Sequence, residues 1–291
     1  MSFADPIKVI YTDTITGVQY PLKTTGLRIR TANFHAYNWE MDVTERSAGE
    51  VVNRFFRPAI QYDTELIFMG RRGDNRQLLY DMHAAWERSI LEQTPGRLDW
   101  GSAYIPCYII SSDTHPDENW DQNLWTVNEI SIYCPYPFWI EESSYSIPAL
   151  VKGGTYHSQI KGYNYQYPYG YDETFANDCE IFIDHYTTSN FVLSAFGPFA
   201  ELYVEMGGNV YNVKYPAAEG ERIVIDSRST AGPYRRVYIR RSDGSTQSVF
   251  NYRNQDFSIF EKLPYGNVKI EYARTYDLAL TVYKERSEPR W

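Results

Sequence analysis

The segment Ile132 to Trp139 reads IYCPYPFW, an apolar strand that runs into two prolines and then two large aromatics. Proline cannot donate to a sheet ladder, and it pushes the residue before it out of the helical region. Pro135 and Pro137 therefore stop the strand without permitting a helix to follow. Phe138 and Trp139 are too apolar for an open loop. The expectation is that they plug into the body of a first domain and fix the direction in which the chain leaves it. Pro135, Pro137, Phe138 and Trp139 are thus read as a rigid interdomain seam.

A seam implies two bodies, and 291 residues suffice for both at roughly 100–200 residues per domain. The expected divisions are a first domain at 1–142, a connecting arm at 143–172 and a second domain at 173–291. Charge separates the halves as well. Residues 1–145 carry 20 acidic and 12 basic side chains, while 146–291 carry 17 and 16. Between Arg97 and Lys152 there is no Lys or Arg, yet the window holds Asp99, Asp113, Asp117, Glu118, Asp121, Glu129, Glu141 and Glu142. Nucleic-acid affinity comes largely from cations neutralising phosphates, so specific DNA or RNA binding by this half is not expected. No segment approaches the ~20 consecutive apolar residues of a membrane helix. The N-terminus shows no basic head followed by an apolar core, and synthesis is expected to finish in the cytoplasm.

Before Gly73 the pattern is β, with strands expected at 7–12, 18–22, 35–43 and 55–69. The period then changes. Leu78, Leu79, Met82, Ala85, Trp86 and Ile90 recur near every 3.6 residues, predicting a helix over 75–91 with Asp74 as N-cap and Met82 and Trp86 facing a core. AYIPCYII (103–110) and LWTVNEISIYC (124–134) read as strands flanking an acidic loop at 111–122. Past the seam, Tyr163, Tyr165, Tyr167, Tyr169 and Tyr171 alternate in KGYNYQYPYGY, so an extended chain puts five rings on one face. Pro168 argues for an edge or a connecting arm, and the run is a candidate partner-binding surface. Beyond it, LYVEM and VYNVKY flank a Gly-Gly turn, and RRVYIRR leads to Asp243-Gly244. Short strands at intervals of about 8–12 residues predict an all-β sandwich or jelly roll.

Catalytic chemistry is not evident. There is no Gly-rich phosphate loop, nucleophile elbow, zinc-protease helix motif or cysteine cluster. His35, His83, His115, His157 and His185 are scattered singly, and Cys107, Cys134 and Cys179 read as buried thiols. Asp113, His115, Asp117 and Glu118 alternate in the acidic loop, but without the glycine and closing glutamate of a calcium loop. Adjacent Glu141 and Glu142 point to opposite faces of an extended chain, unlike a glycosidase pair. The expectation is no enzyme, no cofactor and no metal. Asp113, Asp117 and Glu118 are instead candidate partner-binding positions.

Several stretches, in order, resemble the distal tail proteins of long, non-contractile-tailed bacteriophages: ISIYCPYPFW (130–139), YNYQYPYGY (163–171), NFVLSAFGPFAELYVEMGGNVYNV (190–213), IVIDSR (223–228) and FEKLPYGNVKIEY (260–272). The resemblance implies a mainly β chain. Its first domain would be a split β-barrel with one helix, and its second a galectin-like sandwich. Six copies would form a ring joining the tail tube protein to the baseplate hub, with the sandwich docking receptor-binding or other baseplate proteins. A virion tail-tip location is implied. An acidic ring lumen that lets DNA pass without sticking is a further expectation. Two alternatives share the chemistry: a carbohydrate-binding or polysaccharide-degrading module, supported by 27 tyrosines, and a baseplate part of a contractile tail or phage-like bacteriocin.

Overall fold

The computed structural model describes residues 7–30, 32–69, 72–115, 125–150, 178–228 and 236–290. The chain divides into two compact units. One holds the residues up to Glu141 together with those from Glu285 onward, and the other holds Glu142–Lys284. The chain therefore passes between them twice. The C-terminal stretch, expected in the second domain, packs with the first: Nε of Arg286 and of Arg290 lie 3.8 and 3.9 Å from Glu141 Oε2.

In the first unit the strands are β1 (Val9–Thr12), β2 (Gln19–Pro21), β3 (Leu27–Ile29), β4 (Glu40–Arg46), β5 (Gly49–Phe56) and β6 (Ile60–Met69). Helix α1 (Arg72–Leu91) follows, then β7 (Gly96–Trp100), β8 (Ala103–His115), β9 (Trp125–Cys134) and the start of β10 (Trp139–Ile147). The expected single strand over 55–69 is two strands, because Pro58 interrupts the ladder between Phe56 and Ile60. Strand β8 is shared. Its first half pairs with β7, which leads on to β1 and β2, and its second half pairs with β9, which leads on to β6 and β3. The ladder shifts between Ile109 and Ser111, a bulge that bends β8 where the two sheets meet. The 111–115 stretch, expected as loop, is strand.

Helix α1 starts earlier than its pattern suggested, so Asp74 lies inside it rather than at its cap. Met82, Ala85, Trp86 and Ser89 are buried, while Ile90 is 43% exposed. Ser89 takes the inner position because its hydroxyl donates to the Trp86 carbonyl at 2.7 Å and so enters the core satisfied. Trp86 meets Tyr11 of β1 edge-on at 6.4 Å. His83 Nε2 lies 2.7 Å from Ser112 Oγ, which bonds the fully buried Asn128. The helix is thus tied to β8 and β9 by polar as well as apolar contacts.

The second unit contains the rest of β10, then β11 (Asp178–Ile183), β12 (Asn190–Phe196), β13 (Leu202–Met206), β14 (Asn209–Val213), β15 (Arg222–Asp226), β16 (Arg236–Arg240), β17 (Thr246–Ser248), β18 (Gly266–Glu271) and the first part of β19 (Leu278–Arg286). One sheet runs β17-β16-β15-β12-β19-β10 and the other β11-β18-β13-β14. Phe191 of the first meets Tyr211 of the second edge-on at 5.1 Å in the core between them, which makes a sandwich. Gly207 and Gly208 form the two-residue β13–β14 turn with φ of 59° and 84°, values that suit glycine at both positions. Residues 143–147, expected as the start of an arm, belong to β10, and Tyr145 packs on this core. The alternating tyrosines Tyr163, Tyr165, Tyr167 and Tyr169 lie outside the described residues, as do Asp117 and Glu118.

Candidate functional site

The proline segment does not carry the chain out of its sheet for good. Tyr133 is paired with Tyr108 of β8, and Ile140 is paired with Tyr104 of the same strand. Seven positions on one side thus span four on the other. The surplus is the excursion Pro135–Phe138, and the chain then rejoins its former neighbour as β10. Two residues after Ile140 it enters the second unit.

Within this excursion Pro135 is exposed and Pro137 buried. Trp139, where the ladder resumes, has no exposed surface and meets Phe34 edge-on at 5.8 Å. Phe138 is half-buried in a different setting. Its ring lies 5.3 Å from that of Tyr136 and 6.2 Å from that of Trp39. The Arg57 guanidinium sits 5.3 Å from the Phe138 centroid and 6.0 Å from that of Trp39. Arg57 also donates to the Ser287 carbonyl at 3.1 Å. Burial, with Glu285 close by, holds the Tyr136 phenol neutral far above its ordinary range.

Trp39 immediately precedes β4, and Arg57 immediately follows β5. Phe138 therefore gathers both ends of the β4–β5 hairpin at the proline excursion. That hairpin is the feature sequence reasoning missed. It forms a two-stranded sheet separate from the others, and Ser47 and Ala48 close it before Gly49, whose φ of 114° suits glycine. A ladder shift at Asp42/Val43 leaves Asn53 unmatched, and its side-chain amide donates to Thr44 Oγ1 at 2.8 Å.

Nearly every hairpin residue is exposed, on both faces. Register places Met41 opposite Phe55, Val43 opposite Val52 and Glu45 opposite Glu50 on one face. Met41 is 59% and Phe55 63% exposed. On the other face Asp42 meets Arg54 at 3.5 Å, and Arg54 lies 5.3 Å from the Phe56 centroid. A free two-stranded hairpin is at best marginally stable in water, and clustered exposed apolar groups mark interaction surfaces. The signal in sequence was the alternation of Met41 and Val43, then Val51 to Phe55, around Ser-Ala-Gly.

The acidic window is less uniform than its composition. Asp99 is bound by Arg97 at 2.7 Å, and Glu141 lies near Arg286 and Arg290. Asp113 stands on β8 directly opposite Glu129 of β9. Among the described residues no group of three or more His, Cys, Asp or Glu side chains is arranged to hold a metal ion, and no helix is long and apolar enough to cross a membrane.

The two mainly β bodies, with one helix in the first and a sandwich for the second, share their fold with chains of solved phage structures. The solved structure of phage SPP1 Dit (gp 19.1), described as a paradigm of hub adsorption apparatus in Gram-positive infecting phages, matches with a TM-score of 0.58 at 11% identity, over 97% of this chain and 99% of that one. A chain of the phage P2 baseplate in its activated conformation with Ca matches with a TM-score of 0.64 at 11% identity, over 98% and 100%. The Sr form of the phage p2 baseplate gives 0.61 at 11%, over 98% and 100%. No protein-family model and no curated protein sequence matches the chain.

Proposed function

We propose that this chain is a non-enzymatic structural protein of a phage tail tip. Six copies form a ring at the distal end of the tail, join the tail tube to the baseplate hub and carry receptor-binding or other baseplate proteins. The observation that carries the reading is the β4–β5 hairpin. A monomer leaves Met41, Phe55, Val51 and Val52 exposed on a hairpin that no third strand among the described residues supports, and assembly is the ordinary way to bury such a surface. The fold likeness, nearly complete along both chains, supports the tail-tip location. In this reading Phe138 braces the hairpin root, and Pro135, Pro137 and Trp139 complete the seam at which the chain leaves the first domain. The tyrosine run and Asp113, Asp117 and Glu118 are docking positions for other baseplate proteins.

Native mass spectrometry and negative-stain imaging of the purified chain test this. Six-membered rings are expected. Met41→Glu with Phe55→Glu should give a folded chain that stays monomeric. A wild-type chain that remains monomeric at all concentrations and binds polysaccharide would replace the proposal with the carbohydrate-binding reading.

A further inference from the structure

The hairpin tip carries Glu45 directly opposite Glu50, and like charges facing each other across a ladder destabilise it. Both are exposed. Within the described residues neither side chain has an ion-pair or hydrogen-bond partner. The same unit contains the opposite arrangement. Lys23 and Arg28 face each other across an isolated antiparallel bridge, both exposed and likewise without partners among the described residues. The turn between them is firmly built: Thr24 N–H donates to the Leu27 carbonyl at 2.7 Å, the N–H groups of Gly26 and Leu27 donate to Thr24 Oγ1, and Met69 N–H donates to the Gly26 carbonyl at 2.7 Å. The backbone positions that carry the two cations are therefore fixed side by side.

Directly opposed residues on antiparallel strands have Cβ atoms about 4.5–5.5 Å apart. The two like-charged pairs thus share one spacing and differ in sign. Another opposed cation pair, Arg222 and Arg240 of the second unit, is placed differently, since Arg222 lies over the Phe196 ring at 5.8 Å.

Building on the homo-oligomeric reading above, we infer that the Glu45/Glu50 tip of one copy docks on the Lys23/Arg28 turn of the next. Donor and acceptor surfaces differ, so the contact is heterologous and propagates head to tail, the arrangement that closes into rings. The apolar Met41/Phe55 and Val43/Val52 pairs supply burial along the same face, and the charges set its register.

Charge reversal tests the pairing by light scattering and native mass spectrometry of the full chain. E45K with E50K, or K23E with R28E, should each raise the concentration for half-assembly by about tenfold or more. Far-UV circular dichroism and thermal unfolding should stay unchanged. Combining all four reversals should restore assembly, and mixing the two double variants should give alternating oligomers. R222E with R240E should assemble like wild type. If wild type assembles but either of the first two variants also does so normally, or if the fourfold variant stays dispersed, the tip-to-turn contact is wrong while the ring stands. A wild-type chain that never assembles removes the ring reading itself.

Discussion

Arg88 Nη1 lies 2.6 Å from Asp13 Oδ2, joining the last turn of α1 to the end of β1. Asp13 is 1% exposed. Burial by itself raises its pKa, but the Thr16 hydroxyl, the N–H groups of Ile15 and Thr16 and the Arg88 cation outweigh that and hold it below its ordinary 3.8. A carboxylate depressed in the folded state contributes stability that is complete above its unfolded pKa and is lost as pH falls through the folded value. Urea midpoints measured from pH 7 down past 3.8 should therefore fall further for wild type than for Asp13→Asn. At pH 7 the variant should be less stable by about 1–3 kcal/mol. Parallel pH profiles for the two proteins would show that Asp13 carries none of this.

Trp139 and Phe138 are neighbours with different duties. Trp139→Ala empties a fully buried site against Phe34 and should cost about 3–5 kcal/mol in chemical denaturation. Phe138→Ala should cost the global fold about 1 kcal/mol, yet it releases Trp39 and Arg57 at the hairpin root. Hydrogen exchange is the discriminating measurement. Faster amide exchange confined to 40–56 is expected, and exchange that rises uniformly across the first unit would show that Phe138 does not brace the hairpin.

The thiols should rank by burial. Cys107 and Cys134 are both buried, and burial pushes the Cys134 thiol up to about 12 and that of Cys107 well above its usual range. Cys179 is only half-buried at the second core. Since the thiolate is the reactive form, an aromatic disulfide reagent at pH 8 should titrate Cys179 first in the native chain. The other two should appear only on denaturation. Equal native rates for all three would contradict the packing around β8 and β9.

Gly96 opens β7 where a Cβ would run into the Tyr11 ring and hydroxyl. Gly96→Ala should destabilise the first unit by about 1–3 kcal/mol, and adding Tyr11→Phe should return part of that loss. Thermal unfolding of the single and double variants checks it. Additive losses would mean that the two positions do not collide.

Features encoded within a few residues were readable from sequence. Pro135 and Pro137 interrupt a strand through their own chemistry, whereas the break at Pro58 was read through. Met82, Ala85 and Trp86 show the helix by period, and Gly207-Gly208 shows its turn by the backbone freedom it needs. Features set by distant partners were not. Arg286 approaches Glu141 across the whole second unit, and no local pattern announces that. The rejoining of β10 with β8 is equally hidden, because prolines say only where a ladder stops. The β4–β5 hairpin escaped for another reason. Strand patterns are recognised by one buried face alternating with one wet face, and Met41 to Phe55 have no buried face within a single copy.

The double passage between the two units sets an order of events during synthesis. Arg286 and Arg290 cannot reach Glu141 until the ribosome has translated everything from Glu142 to Lys284. Most of the first body can be folded by then, but its closing contacts, including the Ser287 carbonyl that accepts from Arg57, arrive last. Arg57 stands at the root of the β4–β5 hairpin, so this root contact can form only after the whole second unit has been synthesised.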